Sequence, residues 1–243
     1  MFNNMTTDGL EESGDHLGGG GTLDTNGYDG IIKAAYVGKS SSSEAQSITA
    51  LIDVNGFELR ETFWISNKAG EHTYADKKDP SKKHGLPGFV MVDNLCLIAA
   101  GKPLAQMDTE EKTLNIYDYE AKKELPKSVP VLTALTDKPV SMVVFKQTVD
   151  KTKKNDSTGK YEPTGETREE NTIDKFVEPA SKRTVTEAKE GVETAVFYPK
   201  WIEKNQGKVR NKAKGVEGKS GSPSGSAPSA SESKPATSLF GNS

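Results

Sequence analysis

The sequence predicts a mainly β domain with one helix and two unstructured ends, and three observations carry that reading. Runs of apolar or alternating β-type residues recur between turn signals from Tyr28 onward. One segment, Gly88–Ala100, instead carries its apolar side chains at helical spacing. Both ends are poor in apolar residues. Of the 243 residues, 33% are hydrophobic against 28% charged, 23 are glycine, and the mean hydropathy is −0.65. Globular domains run at about 45–50% apolar, so a good part of this chain is not expected to enter a core.

Residues 1–27 hold five acids (Asp8, Glu11, Glu12, Asp15, Asp24), four consecutive glycines (Gly18–Gly21) and no lysine or arginine. Such a segment has little to bury against the entropy of ordering it and reads as a mobile acidic arm. The glycines lack the Gly-Lys-Ser/Thr ending and preceding strand of a phosphate loop. Tyr28–Val37 and Ala45–Val54 then read as strands, separated by the polar break Gly38–Ser43. Asn55-Gly56 is the signature of a type I′ hairpin, because both central residues need positive φ. Phe57–Ile65 follows as the third strand of an antiparallel meander. Ser66–Gly85 is polar and turn-rich. The helix comes next, with Phe89, Val92, Leu95, Cys96 and Ala99 on one face and Gly101 as its stop. Thr113–Tyr119 and Val129–Leu135 are short β-like pieces without a place in this order. Pro139–Val149 is a clear strand, Lys151–Glu170 a long polar connection, and Thr172–Glu178 the returning strand. Thr184–Glu190 has the makings of a short helix, and the aromatic patch Ala195–Ile202 is expected to pack back on the domain. From 203 the chain reads as a disordered tail. Its first part, Lys204–Lys219, carries six basic residues and one acid; a Gly/Ser-rich linker follows, and the end is Ser238-Leu-Phe-Gly-Asn-Ser243.

Three meandering strands, a helix, then two strands joined by a long loop is the element order of a five-stranded oligonucleotide/oligosaccharide-binding (OB) barrel, with its one helix between the third and fourth strands. Its extent here is 28–202. In that fold a ligand lies across the second and third strands, between the loops that join the first to the second and the fourth to the fifth. The sequence puts Lys39 in the first of these loops and Arg60, Phe63 and Trp64 on the third strand. Tyr74, Lys77 and Lys78 follow the third strand, and Lys151, Lys153, Lys154, Lys160 and Tyr161 fill the last loop. Lysines and arginines neutralise phosphates and release counterions. Exposed rings give unpaired bases a stacking surface, which duplex DNA would hide. Neighbours on a strand point to opposite faces, so only one of Phe63 and Trp64 is available as a platform and the other belongs to the core. The stacking candidates are Trp64, Tyr74 and Tyr161. Phe57, Phe89, Phe145 and Phe176 are expected in the core.

The run from Tyr28 to Val177 resembles bacteriophage single-stranded DNA-binding proteins of the small podophage and siphophage type. The resemblance is carried by Tyr28-Asp-Gly-Ile-Ile-Lys-Ala-Ala-Tyr36, Ser66-Asn-Lys-Ala-Gly70 with Tyr74, and Leu86-Pro-Gly-Phe89. Asp93-Asn-Leu-Cys-Leu97, Gly101-Lys102 and Asn171-Thr-Ile-Asp-Lys-Phe-Val177 complete it. It implies coating of replicating DNA in the cytoplasm of the infected host cell, support of recombination, and contact with replication proteins or an RNA polymerase. Such proteins recruit partners through a C-terminal tail ending in acids and a phenylalanine. This chain keeps Leu239 and Phe240 as a partner-binding tip but has only Glu232 as an acid after residue 220.

Catalysis, metals and cofactors are not expected. His72, His84 and Cys96 fall twelve residues apart each time, without the short pair spacing of zinc sites. Cys96, the single cysteine, lies on the apolar helix face, the setting of an inert thiol. No apolar run approaches the roughly 20 residues that span a bilayer, and the acidic start is unlike a signal peptide's, so neither membrane insertion nor secretion is expected. Two rival readings remain: a transcription co-activator or adapter acting through its tail, and a metal-dependent nuclease.

Overall fold

The computed structural model describes residues 21–214 apart from 41, 119, 120, 122, 156, 158 and 160. Most of the acidic arm, Lys160, and the tail from 215 with Leu239 and Phe240 lie outside the described residues.

The expected meander forms. Strands β1 (Asn26–Lys39), β2 (Gln46–Val54) and β3 (Phe57–Trp64) pair antiparallel in order. At the β2–β3 turn Asn55 and Gly56 take φ of 51° and 85°, the positive values that the type I′ turn demands. β1 serves several partners. Its second half, Ile31–Lys39, pairs with β2, while Asn26–Ile31 pairs antiparallel with β8 (Pro139–Lys154). A register shift between Ile32 and Ala34 lets it bend between them. β9 (Tyr161–Val177) returns along the other edge of β8, and β10 (Val209–Asn211) lies parallel to β8 on the edge that β1 leaves. β6 (Glu110–Asp118) and β7 (Lys123–Val131) form a hairpin that joins β1 where Val131 meets Tyr36. β4 (Thr73–Ala75) and β5 (Lys83–Gly85) make a separate small hairpin inside the segment expected as a polar loop.

The chain is therefore mainly β, but the expected five-stranded barrel needs correction. Among the described residues the large sheet has eight strands and its backbone ladder does not close. β3 and β9 approach each other without pairing; instead the Glu61 carboxylate on β3 accepts hydrogen bonds from the Ile173 N–H and the Thr172 hydroxyl on β9. Helix α1 (Pro87–Ala100) packs against β3, β8 and β9 and so covers this open seam. Proline at its start and Gly101 at φ 68°, whose N–H bonds the Leu97 carbonyl, mark its ends. Val92, Leu95 and Cys96 join Ile32, Ile48, Ile52, Leu59, Phe63, Met142, Val144 and Phe176 in one core.

Among the described residues there are three helices, not one. α2 (Val185–Lys189) and α3 (Phe197–Asn205) lie in the segment that suggests a short helix and an aromatic patch. A reciprocal cap starts α2: the Glu187 N–H donates to Thr184 Oγ1 (3.1 Å) and the Thr184 N–H to the Glu187 carboxylate (2.9 Å). That carboxylate also accepts from the N–H groups of Val196 and Phe197. Burial works against its charge, but these N–H donors hold it below the usual glutamate range. Replacing Thr184 by alanine is expected to cost about 1 kcal/mol in urea unfolding, and an unchanged midpoint would contradict this account of the cap.

One stretch with the sequence of a loop is strand, and the two unplaced β-like pieces find their partners. Lys151–Lys154 and Tyr161–Glu170 form the outer part of the β8–β9 ribbon, and Thr113–Asp118 with Val129–Leu135 contributes to β6, β7 and a 3₁₀ turn at Thr133–Leu135. The outer β8–β9 ribbon has no buried side, so the alternation that betrays a half-buried strand is missing there, whereas β6 keeps it, with Leu114 and Ile116 half-buried between exposed neighbours. Backbone pairing and cross-strand ion pairs such as Lys151–Glu166 (3.0 Å) and Lys127–Asp118 (2.8 Å) hold both ribbons. The boundary expected at 202 falls inside α3. The folded chain continues through β10, so Lys208, Arg210 and Lys212 belong to the domain and not to the tail.

Candidate nucleic-acid interface

Alternation along β3 sorts its side chains. Leu59, Glu61 and Phe63 point inward, and Arg60, Thr62 and Trp64 outward. Phe63 is 6% exposed and meets Phe176 edge-on at 5.9 Å, whereas Trp64 is 51% exposed. Of the two neighbours, the ring left uncovered is thus Trp64. On the same face lie Ser47, Thr49 and Leu51 of β2 and Ala34, Tyr36 and Gly38 of β1, of which Ser47, Thr49, Ala34 and Tyr36 are buried, so the β3 row is the open part of this face. Thr49 and Thr62 share a hydroxyl hydrogen bond of 2.8 Å, and Arg60 Nη2 donates to Tyr36 Oη at 2.9 Å. That bond fixes the guanidinium over the outward face of the sheet. Sequence reasoning places Tyr36 in a strand and no further; the register shift in β1 is what turns it outward, and no local sequence pattern announces it.

Trp64 is held by its backbone. The first turn of α1 rests directly on it, because Gly88 has no side chain: a Cβ there would lie 2.2 Å from the Trp64 carbonyl oxygen and 2.9 Å from its N. The loops beyond also converge. Lys39 ends β1 and pairs with Glu44 at 2.9 Å. The Glu44 N–H bonds the Lys68 carbonyl (3.2 Å), and the Leu86 N–H the His72 carbonyl (2.9 Å), tying the first loop to the segment that leads into β4 and α1. Tyr74 on β4 is half exposed, with the His84 ring 5.6 Å away. Lys77 and Lys78 at the hairpin tip are exposed and have no ion-pair partner among the described residues. Asp76 instead accepts from the Lys78 and Asp79 N–H groups and pairs with His84, and these contacts lower its carboxyl below the usual range.

The remaining expected residues do not join this group. Lys151, Lys153, Lys154 and Tyr161 stand on the β8–β9 ribbon, which runs on past Asn26, the first residue of β1; Lys39 is its last. The two sets flank β1 at opposite ends. Tyr161 is 70% exposed, and Lys151 is engaged by Glu166.

Sequence reasoning missed a second gathering of rings and cations. Phe145, expected in the core, lies on the outward face of β8. Its ring is 4.8 Å from that of Trp201 and carries the Arg210 guanidinium 4.1 Å above it. Trp201 is 6% exposed and donates from Nε1 to Asp174 (2.8 Å). Only the parallel pairing of β10 brings Arg210 here.

Among the described residues no three His, Cys, Asp or Glu side chains gather as a metal site. The Cys96 thiol is fully buried, and burial, aided by Asp93, pushes it up to about 12. No helix among the described residues is long and apolar enough to cross a membrane. Compared with known protein families, with characterised proteins and with solved structures, the chain matches none.

Proposed function

We propose that the protein binds single-stranded DNA without catalysis and with little sequence preference, in support of phage replication and recombination in the infected host cell. Five strands (β1, β2, β3, β8 and β9) follow the order of an OB barrel, with α1 between β3 and β8 and Glu61 bridging where a barrel would close. The observation that carries the reading is the outward row of β3, where a half-exposed Trp64 stands two residues from Thr62 and four from Arg60. Bases stack on the indole, and the guanidinium and the lysines of the neighbouring loops neutralise phosphates. Recruitment of replication proteins or a polymerase belongs to the tail with Leu239 and Phe240.

Titration with oligo(dT) and with a matched duplex at two salt concentrations tests this. Trp64→Ala is expected to weaken oligo(dT) binding roughly 5–150-fold, the equivalent of about 1–3 kcal/mol for one stacked base, while the midpoint of urea unfolding stays put. Binding of duplex as tight as that of the single strand, or a Trp64→Ala protein that binds like the wild type, would sink the proposal.

A further inference from the structure

Between α3 and the β8–β10 edge lies an open cleft of about 420 Å³. Phe145, Phe197 and Trp201 form its apolar wall, and Lys200, Lys204 and Arg210 its charged one. Its single acid, Asp174, is engaged by the Trp201 indole. Lys200 and Lys204 are one turn apart on α3, which sets their Cβ atoms about 5–6 Å apart on one side of the helix. Neither has an acidic partner among the described residues. Arg210 is held in place. Its Cζ lies over the Phe145 ring at 4.1 Å from the centroid, Nη2 donates to Gln147 (2.9 Å), and Nε is buried with no hydrogen-bond partner. Phe197 is half-buried, with Lys175 Nζ 5.9 Å from its ring centre.

We infer that this cleft holds a nucleotide of a single strand, as a second contact separate from the outward row of β3; the inference rests on the reading that the protein binds single strands. The base lies in the cleft against the Arg210 guanidinium and the Phe197 ring, which both line it, as bases stack on guanidinium and aromatic planes alike. Lys200 and Lys204 take the flanking phosphates. Beyond the cleft the backbone leads the strand toward the ribbon: the Lys212 N–H bonds the Thr148 carbonyl and the Lys214 N–H the Asp150 carboxylate. Lys151, Lys153, Lys154 and Tyr161 follow on the same β8–β9 ribbon. An acidic peptide would use the lysines but not the stacked guanidinium plane, so the observations favour a nucleotide. The contact accounts for ribbon lysines that cannot reach the Trp64 face from the opposite end of β1.

The test uses the full chain and an oligo(dT) long enough to reach both places, with some thymines replaced by 5-iodouracil for photo-cross-linking and peptide mapping. Cross-links in peptides covering both Trp64 and 197–210 are expected. Lys200→Ala/Lys204→Ala, both exposed positions on α3, should lower the slope of log affinity against log salt by about 2 and leave the Trp64 cross-link in place. Cross-links at Trp64 alone, or an unchanged slope in the double variant, would overturn the second contact and leave the first standing; an acidic-peptide site would give this result. Cross-links at 197–210 alone would support the cleft and overturn the Trp64 face. No cross-link anywhere would overturn both.

Discussion

Replacing Gly88 by alanine is expected to destabilise the protein by about 2–3 kcal/mol, although the substitution favours the helix locally. In an open helix alanine outperforms glycine by about 1 kcal/mol. Here its methyl group would come within 2.2 Å of the Trp64 carbonyl oxygen and 2.8 Å of the carbonyl carbon. Both are backbone atoms at the end of β3, which cannot swing aside like a flexible side chain, so helix and strand must separate, with the usual cost of overpacking. For a chain of this size that corresponds to a fall in Tm of roughly 5–10 °C. Trp64 moves with its backbone, so the affinity for oligo(dT) should fall too, although no stacking or charged group has been removed. Gly101→Ala is the control. It stands at φ 68° with open space around it, so it should cost about 1 kcal/mol from the left-handed backbone alone and leave oligo(dT) binding unchanged. Equal effects of the two substitutions on binding would refute the close contact between α1 and Trp64.

The second large effect concerns pH. Burial raises the Glu61 carboxyl to about 7, outweighing the hydrogen bonds from Ile173 and Thr172, and the nearby Glu170 and Asp174 push the same way. In the unfolded chain it titrates near the ordinary value of about 4.3. The native state therefore binds the extra proton between these values. Glu61 favours the fold fully below about 4.3, and the benefit is lost as pH rises through about 7. The difference is about 3–4 kcal/mol. The geometry suits the protonated form: one oxygen still accepts from Ile173, and the other gives its proton to the Thr172 hydroxyl, which can accept as well as donate. Glu61→Gln mimics that form permanently. Urea unfolding of both proteins should show near-equal stability at pH 4. At pH 8 the Glu61→Gln variant should be the more stable by an amount approaching about 3–4 kcal/mol. Parallel pH profiles would show that Glu61 does not carry the titration. Because the carboxylate stands where β3 and β9 fail to pair, high pH is expected to loosen that seam first.

How much was legible in the sequence follows from the range of each signal. The β2–β3 hairpin was readable because Asn55-Gly56 needs only its own backbone geometry. Helix α1 was readable because its apolar stripe and its Gly101 stop lie within fourteen residues. The Phe63–Trp64 choice was half legible: alternation required one ring inside and one outside, while the packing of Phe63 on Phe176, more than a hundred residues away, decided which. The outer β8–β9 ribbon was illegible for a different reason. With water on both faces, Lys151–Lys154 and Tyr161–Thr167 need no apolar alternation, so a strand there looks like a charged loop.

By itself, then, the sequence determined the β meander, its turn, the helix that follows and the supply of cations and rings. The tertiary structure alone decided their partition into two places. A bend in β1 turned Tyr36 toward Arg60, and a three-residue parallel strand carried Arg210 onto Phe145. Local conformational preference acts over a few residues and is written in them. The pairing of distant strands is chosen by the burial and hydrogen bonding of the whole sheet, and no short stretch of the chain contains it.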